Sequence, residues 1–374
     1  MVKKINGEGR ERGMHITVPG RTELAGNHTD HQGGHVLAAA INLFVHGEAE
    51  ATDNGKISLA SEGFGVLEVS LSETDREYSA AGSAEALVRG TVEYLLREGY
   101  AVRGFRGSLR SEIPVGAGLS SSAAFSVWVG KTVSLLFHGG TIPPLTLALA
   151  AQYAENHHFG KPCGLMDQCA CACGGITEMD FSAPIPKLSA VKTNPTELGY
   201  ALYVVDTGGS HRDLTEAYAA IPDEMRQVAA CFGKSRLSEL AESEFRSSIP
   251  MLRGRVTDRA IIRAVHYYEE DRRVLQMSAA LAENDMREYL HLMDESGRSS
   301  AELLQNQFYG AERQGIPLAL ALSRRVLGGK GAARVHGGGF AGTIQALMPE
   351  ELAPRFETEL SAVFGKRCIR LSLV

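Results

Sequence analysis

Residues Pro114–Gly130 read PVGAGLSSSAAFSVWVG. A strand-like segment runs into two closely spaced glycines, and three serines then open an apolar run whose first turn continues with Ala123 and Ala124. Gly116 and Gly118 allow positive φ and a close approach of the backbone to a ligand. A helix is expected from Ser121 to Leu136; its first turn offers unpaired N–H groups and the positive end of the dipole, a ready anion site. The Leu119 backbone and the hydroxyls of Ser120, Ser121 and Ser122 complete the turn. No lysine follows the second glycine, so this is not a P-loop. One serine here would be an ordinary N-cap; three in succession after Gly-Ala-Gly favour phosphate binding.

Around this loop, the 374 residues fit two domains better than one core. The proline-dotted, polar stretch Asp180–Pro195 (DFSAPIPKLSAVKTNP) is the expected boundary, giving domains 1–190 and 191–374. Period-two alternation predicts strands in Gly55–Glu73 and Gly104–Ile113, and Ser83–Glu98 predicts a helix with Leu87, Thr91, Tyr94 and Leu95 on one face. Further strands are expected at Ala201–Asp206, Ala341–Met348 and Arg367–Val374, with amphipathic helices between Asp213 and Arg325. Strands and helices do not alternate regularly, which favours α+β over a doubly wound α/β sheet.

Composition sets the remaining bounds. An apolar fraction of 44%, a charged fraction of 22% and a formal charge of −6 without a basic run describe an ordinary globular chain, not one that binds nucleic acid. No run approaches the roughly 18 apolar residues of a membrane span, and MVKKINGEGRERGM at the start lacks a signal-peptide h-region. A cytoplasmic protein is expected. The six cysteines include the run CACAC (Cys169–Cys173), whose spacing is not that of a zinc site; small apolar packing residues are the simpler reading.

Three further stretches carry chemistry. Gly26–Gly34 (GNHTDHQGG) places two histidines, an aspartate, an asparagine and three glycines in nine residues. Ala154–Gln168 (AENHHFGKPCGLMDQ) carries Glu155 on an expected helix and Asp167 after a Pro-Cys-Gly turn. Alone, Asp167 reads equally as a helix N-cap or a catalytic group. Arg334–Leu347 (RVHGGGFAGTIQAL) carries Gly337, Gly338 and Gly339 ahead of a strand, either a cover for a nucleotide or a flexible turn.

In this order and at these separations, the stretches resemble the three motifs of the GHMP sugar and small-molecule kinases, and within them the galactokinase family. There the first motif reads roughly P-G-R-x-N-x-x-G-E-H-x-D-Y, the second P-x-G-x-G-L-S-S-S-A and the third G-G-G-F-x-G. The block Pro162–Gln168 (PCGLMDQ) is similar to galactokinases specifically, and the resemblance spans Val18–Leu347. It implies an α+β, two-domain kinase with its active site in the interdomain cleft, using ATP and Mg²⁺ to phosphorylate the anomeric hydroxyl of galactose or a close relative. By the same resemblance, Gly116–Ser122 would hold the ATP phosphates, and Ser122 and Glu155 the Mg²⁺. Asp167 would face the anomeric hydroxyl beside Arg21. Asn27, His28, Asp30, Gly164 and Tyr218 would contact the sugar, with Gly337–Gly339 lining the site. Tyr218 stands seven residues after His211, as the family's sugar-facing tyrosine does after a histidine.

The first motif departs from the family at three positions. Glu23 replaces asparagine, Asn27 replaces glutamate and His31 replaces tyrosine. Loss of the carboxylate at Asn27 would remove repulsion toward a C6-carboxylate sugar, and the run Asp30–Gly34 (DHQGG) is similar to galacturonate kinases. Galacturonate is the alternative substrate, and Asn27→Glu is expected to raise the preference for galactose over it. A non-catalytic sugar sensor and a mevalonate or homoserine kinase are further alternatives. Intact Ser121–Ala124, Glu155, Asp167 and Arg21 argue against the sensor; the HTD run (His28–Asp30) and PCGLMDQ argue against the other kinases.

Overall fold

The computed structural model describes residues 13–62, 65–114, 116–208, 215–307, 314–340 and 342–374. His211 and the first twelve residues lie outside them. The chain divides into two compact units: Met1–Arg21, Asn42–Val115 and Leu119–Gly174 form the first, and Thr22–Ile41, Gly116–Gly118 and Gly175–Val374 the second. Strands β1 (Met14–Ala25) and β2 (His35–Ala51) each contribute to both. A single cut at residue 190 therefore does not reproduce the grouping, because the long strands carry the chain from one unit into the other and back.

In the first unit, β3 (Lys56–Ser61) pairs antiparallel with β4 (Gly65–Ser70) and parallel with β5 (Phe105–Ser111). The second half of β2 runs antiparallel to β5, with Gly47 opposite Leu109. Ile57, Leu59, Val69 and Phe105 point inward at alternate positions and are buried, as the period-two pattern requires. Helices α1 (Ala84–Arg97), α2 (Ser121–Phe137), α3 (Pro144–Tyr153) and α4 (Met166–Cys173) complete the unit. Ser83 caps α1 by accepting from the Ala86 N–H at 3.2 Å, and Leu87, Thr91 and Leu95 are buried along its face. Trp128 of α2, the chain's single tryptophan, is wholly buried and donates its indole N–H to the Ile16 carbonyl at 3.1 Å. Gly47 makes room for that ring: a Cβ there would lie 2.5 Å from Trp128 Cζ2.

α3 does not end cleanly. Ala154–Phe159 continues it as a π-helical turn that closes on Gly160 at φ +81° and carries Glu155. Single π turns inside helices insert an extra residue and recur at functional positions. His158, also on this turn, is buried and bonded to Glu93 of α1.

In the second unit, β6 (Ile176–Asp180) pairs antiparallel with the first part of β2, His35 facing Asp180, and β7 (Lys187–Val191) pairs antiparallel with β6. The prolines that suggested a linker thus lie in and after a hairpin. A separate sheet has the order β11-β8-β10-β9, from β8 (Tyr200–Asp206), β9 (Ala332–His336), β10 (Thr343–Pro349) and β11 (Cys368–Leu371), all antiparallel. The helices are α5 (Thr215–Ala230), α6 (Glu242–Ser247), α7 (Ile249–Leu252), α8 (Asp258–Ala282), α9 (Met286–Ser299), α10 (Gly315–Leu327) and α11 (Ala353–Phe364). One core joins Tyr203, Val205, Ile344 and Ala346 of the sheet to Leu320, Phe356 and Leu360. A second joins Ile221 and Met225 of α5 to Phe245, Ile261 and Tyr268. Among the described residues no helix is long and apolar enough to cross a membrane.

Candidate active site

Two polar clusters contain the residues the sequence singled out, one in each unit. In the first unit, Arg21 at the end of the unit's share of β1 reaches Asp167 in the first turn of α4. Its Nε and a terminal nitrogen both donate to Asp167 Oδ1, at 2.8 and 2.7 Å. The Ser120 hydroxyl donates to Asp167 Oδ2. Burial pushes the Asp167 carboxyl up, but Arg21, Lys161 and the Ser120 and Arg21 hydrogen bonds outweigh it and leave it below the ordinary aspartate value. Asp167 is therefore an ionised carboxylate with both oxygens oriented and lone pairs to spare. Beside it, Ser122 donates to Glu155 Oε1 at 2.8 Å. Glu155 is 1% exposed, and its other oxygen lies 3.3 Å from Lys161 Nζ without a hydrogen bond. Gly164 stands in the turn leading to α4.

The loop ahead of α2 has the backbone expected of it. Gly116, Gly118 and also Ser120 are left-handed, at φ +81°, +67° and +62°. Ser120 is not a conventional N-cap, because its hydroxyl is given to Asp167 instead. Leu119 is buried, and its carbonyl accepts the Arg21 N–H at 3.4 Å. Ser121 and Ser122 stand in the first turn of α2, whose opening N–H groups have no intrahelical acceptor.

In the second unit, the first and third motifs pack on each other. Asn27 is wholly buried; its amide donates to the Gly337 carbonyl at 2.6 Å and to Glu23 at 3.2 Å, and its oxygen accepts from Asn306 at 2.8 Å. Glu23 in turn forms an ion pair with Arg334 at 3.0 Å, both side chains buried. Asn27, expected to read the sugar's C6, is thus committed to protein partners on both sides of its amide. The glutamate and asparagine of the family pattern have exchanged places here, and the carboxylate sits four residues upstream against an arginine.

His28 adopts φ +62°, uncommon for a residue with a side chain. Its Nε2 is 3.3 Å from the Gly338 carbonyl and its Nδ1 is 3.1 Å from His31 Nε2, whose other nitrogen is 3.2 Å from Gln32 Nε2. Only one set of tautomers satisfies this chain: Gln32 donates to His31, His31 to His28, and His28 to Gly338. Burial holds His28 at about 4, partly opposed by the Gly338 carbonyl, and holds His31 well below its usual value, so both rings stay neutral near pH 7. Asp30 accepts the His31 N–H at 2.8 Å, and Tyr218 lies against the His28 ring with centroids 5.3 Å apart. The Tyr218 ring also explains Gly338, where a Cβ would sit 2.3 Å from its Cε2; a Cβ on Gly339 would lie 2.2 Å from the Asn306 carbonyl. The third glycine motif is therefore a close-packed support for the first.

Sequence reasoning missed Lys161, Asn306 and the Glu23–Arg334 pair. Asn306 and Arg334 carry no local signature, since they act through residues some 280 and 311 positions away. Lys161 had a weak one, a cation in a Gly-Lys-Pro turn six residues after a buried glutamate.

Comparison with known proteins gives the family. Residues 86–175 match the GHMP kinases N terminal domain, and residues 4–49 match the galactokinase galactose-binding signature. The fold is also that of the crystal structure of Methanococcus jannaschii mevalonate kinase, at TM-score 0.66 and 19% identity over 98% of this chain and all of that one. The crystal structure of Lactococcus lactis galactokinase complexed with galactose gives TM-score 0.83 at 24% identity, over 97% of this chain and 94% of that one. Galactokinase of Glaesserella parasuis is 30% identical over 90% of this chain and 85% of its own. That of Pyrococcus furiosus is 30% identical over 90% of each. Within the GHMP kinases, this chain belongs to the galactokinase family.

Proposed function

We propose that the chain transfers the γ-phosphoryl group of ATP to the anomeric C1 hydroxyl of galactose, giving galactose 1-phosphate and ADP. The observation that carries this reading is the Arg21–Asp167–Ser120 cluster, an oriented, ionised carboxylate held by a guanidinium beside a glycine-serine anion loop. Phosphoryl transfer asks a protein mainly for positioning and charge stabilisation. Asp167 accepts the proton of the C1 hydroxyl as that oxygen bonds to the γ-phosphorus and the bond to the ADP oxygen breaks. Arg21 keeps Asp167 ionised and offsets charge on the transferred group. Gly116–Ser122 and the start of α2 cradle the phosphates.

Ser122 and Glu155 fit Mg²⁺. They supply two adjacent hard oxygens, and a second Glu155 oxygen is buried without a hydrogen bond. The bound ion would neutralise phosphate charge and orient the transferred group. Asp30, Tyr218 and Gly164 supply the sugar contacts, with Asn27, His28 and Gly337–Gly339 holding that loop in shape. Galacturonate gains no support, because Asn27, the residue that suggested it, is enclosed by Glu23, Gly337 and Asn306. The six free cysteines, of which Cys169 and Cys171 are buried, accord with a cytoplasmic location.

The test is ADP release with galactose and galacturonate offered in parallel. Turnover on galactose supports the reading, and turnover on galacturonate alone overturns it. ATP binding without turnover on either makes the chain a sensor.

A further inference from the structure

Glu155 and Asp167 are the two carboxylates of the first-unit cluster, and each has its own cation. Arg21 serves Asp167 and Lys161 serves Glu155. The Lys161–Glu155 pair is unequal. Glu155 is 1% exposed, whereas the Lys161 side chain is 52% exposed. Backbone geometry brings the lysine back over its own turn: Gly160 is left-handed, and the Lys161 N–H donates to the Glu155 carbonyl at 3.0 Å. The ammonium faces the Glu155 oxygen that has no hydrogen bond, the one a divalent cation would need. A buried carboxylate without a counter-charge is costly, so something must neutralise Glu155 before any nucleotide arrives.

We propose that Lys161 is the resident counter-ion of Glu155, a positioning residue that occupies the metal's place in the empty enzyme and gives it up when a metal-nucleotide binds. The inference rests on the kinase reading above. It predicts that the lysine stabilises the empty protein and opposes metal entry, two effects that a purely structural lysine would not combine.

The experiment compares wild type, Lys161→Met and Lys161→Arg. In EDTA, Lys161→Met should melt about 2–4 °C lower than wild type, while Lys161→Arg, which keeps the charge, should not. With saturating Mg²⁺ and ADP the Lys161→Met deficit should shrink to under about 1 °C. The Mn²⁺ concentration for half-saturation in the presence of ADP, read from the electron paramagnetic resonance of free Mn²⁺, should fall about threefold in Lys161→Met, the scale of a half-exposed ion pair. An equal melting deficit in both buffers, no deficit at all, or an unchanged or higher Mn²⁺ requirement overturns the proposal. Glu155→Gln separates the two levels of the argument. If Mg²⁺ and ADP stabilise that variant as they do wild type, the metal assignment itself fails and the proposal falls with it. If that stabilisation is lost while the Lys161→Met deficit persists, only the role of Lys161 falls.

Discussion

Asp167 and Glu23 are both carboxylates paired with an arginine, at 2.7 Å in the first unit and 3.0 Å in the second. They differ in what surrounds the pair. The Asp167 side chain keeps 21% of its surface, and its remaining neighbours are a hydroxyl and an approaching lysine; Glu23 and Arg334 keep 3% and 0%, closed in by Asn27 and backbone. An ion pair left partly open keeps a charged oxygen available for chemistry. A sealed one loses that option and instead fixes geometry, because removing either partner strands a buried charge.

The comparison breaks most sharply at Asp167. Asp167→Asn should lower kcat by about 10²–10⁴ while its melting temperature stays near that of wild type; a variant that keeps wild-type turnover removes Asp167 from the chemistry. In the sealed pair the expected damage is to folding. Asn27→Glu would set a second carboxylate against Glu23 in a site with no exposure, and denaturant titration should show a loss of about 3 kcal/mol. The double exchange Glu23→Asn with Asn27→Glu should recover at least half of that loss, and strictly additive losses would mean that the two positions are not coupled. The effect first expected of Asn27→Glu, a shift between galactose and galacturonate, becomes secondary to this.

Acid should expose the second unit as well. His28 is neutral in the fold, with its value near 4, whereas the unfolded chain takes up that proton near 6.5. The unfolded state thus binds more protons across this window, so the contribution of His28 falls as pH drops from about 6.5 to 4, by on the order of 3 kcal/mol at most. His28→Gln should flatten that part of the stability–pH curve, and an unchanged slope would place the acid sensitivity elsewhere. The smallest effect expected is at Gly338. Gly338→Ala should displace the Tyr218 ring and raise the KM for sugar about fivefold with little change in kcat; unaltered kinetics would separate Tyr218 from the sugar.

The same contrast explains what the sequence could reveal. Ser83, Leu87, Thr91 and Leu95 mark α1 because one of its faces meets a core and the other meets water. Parts of β1 and β2 show no such alternation: Thr22–Ala25 and Val36–Ile41 are buried on both faces, and the all-apolar run Val36–Ile41 carries no period to read. The left-handed turns at Gly116 and Gly118 were legible because closely spaced glycines leave a local trace, and the Arg21–Asp167 pairing was implied by the family's motifs rather than by any local pattern. The fate of Asn27 was not, since Asn306 and Gly337 meet it only in the folded chain. Residues with polar side chains look alike in sequence whether they end up facing a ligand or a neighbour.

The π turn at Ala154–Phe159 bears on which insertions and deletions the gene can tolerate. An α-helix advances about 100° per residue, and the π turn holds one residue more than an α-helical turn would. Deleting a single codon there would let the helix close normally and would rotate the side chains across the gap by about that angle, separating Glu155 from either Ser122 or Lys161. An exposed connection such as Ser182–Ile185 has no such register to keep. Length variation among functional relatives should therefore collect in connections of that kind and be absent from the six residues of the turn.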